Sequence, residues 1–367
     1  MSDASQTNSI ATSATSTPST PTSATSTAAK PELSALTLGF IPLLDAALLV
    51  IAREGGFFES EGIEVTLSRE NAWSTLRDKV AAGMLDGAHM LAPMPLAMSL
   101  GLSRAPCETL APIVLSRHGN TVVLSERYAE GMLSPSQTSP ADNARKLRQL
   151  LDQRRLSGAI SPPRLAMVYP WSCQHLLLRR WLSLGDIDPQ DSVELVALPP
   201  PRMVDALREG QIDGFCVGEP WGSLAQHRDV GRIVARGADL MPGHPEKVLG
   251  VTASWARRYP STLAALVRAL QAAADWLHSA ADAMPRTRGW LALPPYLDRS
   301  MSHLDQQPLN NPTADLRIGD ELRPRLTDFI VLAQQLQPLL EMRDRQIDSP
   351  TVEACYSAVH FDAATHQ

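Results

Sequence analysis

A chain of 367 residues with 44% hydrophobic and 20% charged side chains is long enough for two ordinary domains and too apolar for global disorder. Its 33 basic and 39 acidic residues leave a formal charge of −6, which argues against a general nucleic-acid or anionic-membrane surface but not against one local anion site. Apolar runs stay short of the roughly 18 residues a membrane span needs. The four scattered cysteines (Cys107, Cys173, Cys216, Cys355) form neither a C-x-x-C pair nor a zinc spacing.

Residues 1–30 hold sixteen Ser or Thr separated mainly by Ala and Pro, a composition with little to bury, so 1–32 is expected to be a disordered tail. The tail has no basic residue before Lys30, no apolar stretch and no arginine. It matches neither a secretory signal nor a transit peptide, and the expected compartment is the cytoplasm. From about Leu33 the pattern alternates. A strand is expected over 36–40, and Asp45 is placed to cap a helix from Ala46 to Arg53 that Gly55-Gly56 stops. A strand over 63–67 and a helix over 72–83 follow, with Leu76 and Val80 on one helical face. Asp86-Gly87-Ala88 opens the next strand, and Pro93-Met94-Pro95 leads into a helix.

The middle repeats the alternation, with strands over 121–124, 164–168, 193–198 and 214–217 and helices over 140–155, 173–184 and 203–209. Strands near 232–236 and 249–253 and helices over 261–278 and 324–341 complete the reading. The proline-bearing stretch 285–320, with Asn310-Asn311-Pro312, takes no clear order. Such alternation predicts an α/β fold with parallel sheets covered on both faces, its ligand beyond the strand ends where lobes meet.

No G-x-G-x-x-G, Walker A or G-x-S-x-G motif is present, and the nine histidines form no H-x-x-x-H pair. Cys173 and His175 are two apart on an expected helix and point to different sides, so they make a poor thiol–imidazole pair. Binding rather than catalysis is the default.

Four blocks go beyond pattern: Gly39 to Ala47; Trp73 to Val80, continuing through Leu85 to Pro95; Pro199 to Val204, continuing through Ile212 to Trp221; and His244 to Thr252. Together they resemble the nitrate- and bicarbonate-binding proteins of ABC importers, the NrtA/CmpA type, from about residue 34 to 280. Without an export signal, the chain looks like the cytoplasmic, NasS-type nitrate-sensor branch. The resemblance implies a two-lobed, periplasmic-binding-protein-like type II fold with the ligand cleft between lobes. The expected division is 33–120 with 222–345 for lobe I, 121–221 for lobe II and a C-terminal tail over 346–367. It further implies no enzyme activity, no cofactor and no metal. The expected ligand is nitrate or nitrite. The expected partner is an ANTAR-domain antiterminator of the NasT type that controls nitrate assimilation genes, without direct nucleic-acid or membrane contact. The alternatives are a substrate-binding protein of a nitrate, nitrite or bicarbonate importer and a pyrimidine-precursor synthase-like enzyme. The latter calls for a cofactor-bearing lysine and a His/Cys cluster that the sequence does not display.

Nitrate is a planar monoanion with acceptors only, so its site should supply donors, one cation and no nearby unpaired carboxylate. The family positions carry such a set. Trp73 offers an indole N–H, and Ser74 offers a hydroxyl and a backbone N–H at a helix N-terminus. Lys247 is the cation, and since the bicarbonate branch is expected to be acidic there, it favours nitrate or nitrite. Glu246 should alternate outward on a strand. Asn120 lies at the crossing between lobes and can donate its amide, and Pro200 lines the pocket floor. The family histidine seven residues before Trp181 is replaced by Gln174, with His175 beside it, and either can fill the role. His89, Asp86 and Asp213 read as structural.

Overall fold

The computed structural model describes Met1 and residues 29–102, 104–158, 161–298, 316–341 and 346–366. Residues 2–28 of the expected tail and the Asn310-Asn311-Pro312 turn lie outside them. In chain order the strands are β1 (Ala35–Phe40), β2 (Glu64–Arg69), β3 (Gly87–Leu91), β4 (Thr109–His118), β5 (Asn120–Ser125), β6 (Arg164–Met167), β7 (Glu194–Ala197), β8 (Gly214–Gly218), β9 (Gly231–Arg236), β10 (Pro245–Thr252) and β11 (Leu316–Ile318). They make one six-stranded sheet, β11-β4-β10-β3-β1-β2, and one five-stranded sheet, β7-β6-β8-β5-β9. Each sheet is the centre of a lobe. The two-lobed α/β architecture agrees with the expected fold.

The sheets are mixed rather than parallel. β1 runs parallel to β2 and β3, but β10 is antiparallel to β3 and β4. In the second sheet β6 is parallel to β7 and β8, whereas β5 is antiparallel to β8 and β9. The strands on which the chain crosses between lobes, β4 into β5 and β9 into β10, make only antiparallel pairs, as does the edge strand β11. At the first crossing His118 and Gly119 both have left-handed backbones, with φ of 58° and 85°. A Cβ on Gly119 would stand 2.6 Å from Leu316 Cδ1, so glycine is needed for both conformation and space.

Two expectations are corrected here, and one strand is unforeseen. The return to the first lobe does not fall at 222, because β9 pairs with β5 and the chain crosses back only between Arg236 and Pro245. The ten-residue β4, which no expected element covers, is an inner strand of its sheet, between β11 and β10. Pro112 breaks its strand signature, and the register against β10 is irregular between Leu249 and Val251, where the partner ladder accommodates it. Residues 346–366 are also no tail. Helices Ser349–Tyr356 and Val359–Thr365 dock on the first lobe. Tyr356 stacks on Phe329 at 3.8 Å between ring centroids, and its hydroxyl donates to Ala92 O at 2.7 Å.

Helices start where side chains or proline favour them. Ser139 caps Pro140–Leu156 by accepting from Asp142 N, and Ser172 caps Cys173–Ser183 by accepting from His175 N. Within the expected unordered stretch, Ala283–Ala292 is helical. Among the described residues no helix is long and apolar enough to cross a membrane.

Candidate functional site

The run Leu43-Leu44-Asp45-Ala46-Ala47 is apolar except for one carboxylate, and Asp45 is carried into the interior with it, 2% exposed. It does not cap the following helix. Leu43 precedes a 3-10 turn over Leu44–Ala46, and no side chain caps it. Asp45 Oδ2 instead accepts from Lys247 Nζ at 2.6 Å, and its Oδ1 lies 2.9 Å from His89 Nε2. Lys247 comes from β10 and His89 from β3, adjacent strands of the first sheet. The Lys247 ammonium also stands 5.7 Å from the centroid of the Trp73 ring, at the first turn of helix Trp73–Ala81.

Glu246 also enters this group. Neighbouring residues of a regular strand face opposite sides, but the β10–β4 ladder shifts register on both sides of Lys247, from Pro245↔Arg117 to Lys247↔Ser116 to Val248↔Val114. This bulge allows Glu246 and Lys247 to be buried and to bond each other, Nζ to Oε1 at 2.7 Å. The expectation that Glu246 turns outward is overturned. Its carboxylate receives Asn120 Nδ2 at 2.6 Å and Gln174 Nε2 at 2.7 Å, both from the second lobe. Gln174 Nε2 also donates to Asn120 Oδ1 at 2.7 Å. Gly218, at the end of β8, borders the cluster: a Cβ there would be 3.5 Å from Asp45 Oδ2 and 3.6 Å from Asn120 Oδ1.

The electrostatics follow from burial and pairing. Burial works against the Lys247 ammonium, but Asp45 and Glu246 outweigh it and hold its pKa above the ordinary lysine value. Burial raises the Asp45 and Glu246 pKa values, and Lys247 more than reverses this, with help from His89 on Asp45 and His244 on Glu246. His89 is pushed down, chiefly by burial, and is neutral at pH 7. One ammonium therefore faces two carboxylates. A donor-only site was expected, and its place is taken by a group carrying a formal excess of one negative charge.

Of the expected site residues, Trp73, Asn120, Gln174 and Lys247 meet in this interior. Trp73 is buried, and its indole Nε1 has no hydrogen-bond partner. Ser74 does not meet them: one helical residue on from Trp73, it faces solvent. Of the pair Gln174 and His175, Gln174 faces the cluster. His175 turns away, with Nδ1 2.8 Å from Pro170 O, because successive helical residues point in different directions. Pro200 is buried at the start of the 3-10 turn Pro200–Arg202. Sequence reasoning missed Asp45, His89 and Glu246. A single ionisable residue inside an apolar run was the available signal for the first two.

Cys173 and His244 lie on the other side of Glu246. Cys173 Sγ, His244 Nε2 and a Glu246 carboxylate oxygen all lie within 4.8 Å of one another. Burial, then the Glu246 charge, raises the Cys173 thiol well above its ordinary pKa.

The NMT1-like family profile matches residues 29–289, and the chain belongs to that family. It is 42% identical over 276 residues to the nitrate import ATP-binding protein NrtC of Synechocystis, covering 73% of this chain and 38% of that protein. It is 38% identical over 250 residues to the bicarbonate transport ATP-binding protein CmpC of Synechococcus elongatus, covering 67% and 36%. The chain thus spans little more than a third of these relatives. The crystal structure of the periplasmic nitrate-binding protein NrtA from Synechocystis superposes with a TM-score of 0.80 at 23% identity, covering 92% of this chain and 90% of that one. This likeness establishes the two-lobed type II binding-protein fold.

Proposed function

We propose that this member of the NMT1-like family binds a small planar oxyanion, nitrate or nitrite, between its lobes, and acts as a cytoplasmic sensor for an ANTAR-domain antiterminator of the NasT type. One observation carries the ligand half. The Glu246 carboxylate, itself a planar monoanion, is held by amides of Asn120 and Gln174 from one lobe and by the Lys247 ammonium from the other. Nitrate offers the same charge and the same acceptors, and the unpartnered Trp73 N–H remains for a further oxygen. Binding is then an exchange. Glu246 leaves the donors and the anion takes them, because a third negative charge beside one buried lysine is too costly. Binding rather than catalysis is proposed because the chain shares the fold of the periplasmic nitrate-binding protein NrtA, and the buried Cys173 thiol, raised above its ordinary pKa, makes a poor nucleophile.

The test is thermal unfolding with nitrate, nitrite, bicarbonate, sulfate and chloride at equal ionic strength. At about a hundred times Kd, a ligand adds roughly 2.7 kcal/mol. A shift with nitrate or nitrite that Lys247→Ala loses is expected. A shift with bicarbonate alone moves the specificity to that anion, and no shift with any of them refutes the ligand half.

The regulatory half rests on the resemblance to the NasS-type branch. The partner prefers the anion-free form, so nitrate and partner must oppose each other reciprocally. A complex that survives saturating nitrate refutes it. The names of NrtC and CmpC favour a second reading, the ligand-binding module of an importer. Co-purification with a transporter subunit instead of an antiterminator selects that reading.

A further inference from the structure

We propose that Cys173, His244 and Glu246 form a binding site for a zinc-class divalent metal ion that ties the two lobes together. Cys173 opens a helix of the second lobe, whereas His244 and Glu246 stand at the start of β10 in the first. All three are buried, and their ligand atoms lie within 4.8 Å of one another. Tetrahedral zinc with bonds of about 2.0 to 2.3 Å holds its ligand atoms roughly 3.3 to 3.8 Å apart. His244 Nε2 and Glu246 Oε2 already satisfy this at 3.5 Å, so the sulfur side has only a short way to close.

The orientation of His244 is the second observation. Its Nδ1 lies 2.6 Å from the Met241 carbonyl oxygen, a contact only an N–H can make. That leaves the Nε2 lone pair aimed at a carboxylate oxygen, and Nε2 is a buried atom with no hydrogen-bond partner. In the neutral ring two acceptors face each other, and the contact calls for either a shared proton or a metal ion between them. A histidine N–H given to a carbonyl with the other nitrogen on the metal is the usual support for an imidazole ligand. The neighbouring His118 is already committed, since its Nε2 accepts from Gly243 N at 2.8 Å.

The charge balance agrees. Asp45, Glu246 and Lys247 leave one excess negative charge in the interior. A divalent ion bound with a Cys173 thiolate adds two positive charges and one negative, and brings the group to neutrality. Glu246 can keep Oε1 on Lys247 and Gln174, while Oε2, which accepts from Asn120 Nδ2 at 2.6 Å, offers its second lone pair to the metal. The ion displaces the thiol proton as it binds. Sulfur, nitrogen and oxygen donors together suit zinc or cobalt rather than magnesium or calcium. Three protein ligands leave a fourth position open. A cavity of about 240 Å³ lined by Met241, Gly243, His244 and Pro245 borders the imidazole.

The experiment uses the full chain, reduced, stripped with chelator and titrated with Co²⁺. One equivalent should produce a thiolate-to-cobalt charge-transfer band in the near ultraviolet and tetrahedral bands in the visible, and Zn²⁺ should abolish both. Cys173→Ser should lose the charge-transfer band, and His244→Ala should weaken binding at least tenfold. Cys107→Ser, at a half-buried thiol elsewhere, should change neither. Circular dichroism of each variant separates loss of ligands from loss of fold. No band in the wild type means a proton bridges His244 and Glu246, and overturns the proposal. So does a band that persists in Cys173→Ser. Nitrate binding measured on the metal-free chain keeps this outcome distinct from failure of the anion site.

Discussion

Lys247→Met tests the central charge arrangement directly. Methionine preserves most of the side-chain volume and removes the ammonium, which leaves Asp45 and Glu246 as buried carboxylates without their cation. Removing one partner of a buried ion pair costs about 3–5 kcal/mol, because the remaining charge keeps its desolvation penalty. At about 1.3 °C per kcal/mol for a chain of this size, the unfolding midpoint at pH 7 should fall by roughly 4–7 °C. The pH dependence gives the sharper signature. In the wild type both carboxylates sit below their ordinary pKa, so their contribution is present above about pH 4.5 and is lost on further acidification. Without Lys247, burial prevails and their folded pKa values rise above the unfolded ones. The variant is then penalised most at neutral pH and recovers as pH falls through the raised values. Chemical denaturation followed by circular dichroism at pH 7 and pH 5 reads both effects. A loss under about 1 kcal/mol at pH 7, or a deficit as large at pH 5 as at pH 7, contradicts the buried triad. Adding Asp45→Asn should restore part of the loss, since it removes one of the stranded charges.

Further outcomes follow from other contacts. Tyr356→Phe keeps the stack on Phe329 but leaves the Ala92 carbonyl without its donor, and should cost about 1–3 kcal/mol by denaturant titration. Truncation after residue 345, harmless for a true tail, should lower the unfolding midpoint markedly. Gly119→Ala combines a left-handed backbone with a 2.6 Å approach to Leu316, and should destabilise by more than about 1 kcal/mol in the same assay. Glu32 accepts from Ser261 N, Thr262 N and Thr262 Oγ1, which outweigh desolvation and bring its pKa down to about 2. Its contribution is present above its ordinary value and fades between about pH 4.5 and pH 2. Glu32→Gln should therefore flatten the acid limb of the stability profile.

Most helices and the βα alternation were legible because 3.6- and 2-residue periodicities are local properties, set by which face of each element must be buried. Blocks such as Trp73 to Val80 and His244 to Thr252 carried the family and much of the polar constellation. Sheet direction was not legible. β4 and β10 run antiparallel to their neighbours because the chain crosses between lobes there, and no local pattern encodes a crossing. The choice between Gln174 and His175 likewise awaited the helix orientation, since a helix does not reveal from sequence which of two adjacent residues faces inward.

What the sequence alone determined was the α/β class, the family resemblance and four of the residues that meet at the interface: Trp73, Asn120, Gln174 and Lys247. The tertiary structure decided the charge of the place where they meet. A register shift in β10 brings Glu246 inward, and an apolar run carries Asp45 beneath Lys247. The cation expected to wait for an anion is already paired with two carboxylates. The physical reason is that desolvation and pairing energies depend on which groups share a buried volume, and residues 45, 120, 174 and 246 share one only after both lobes have formed.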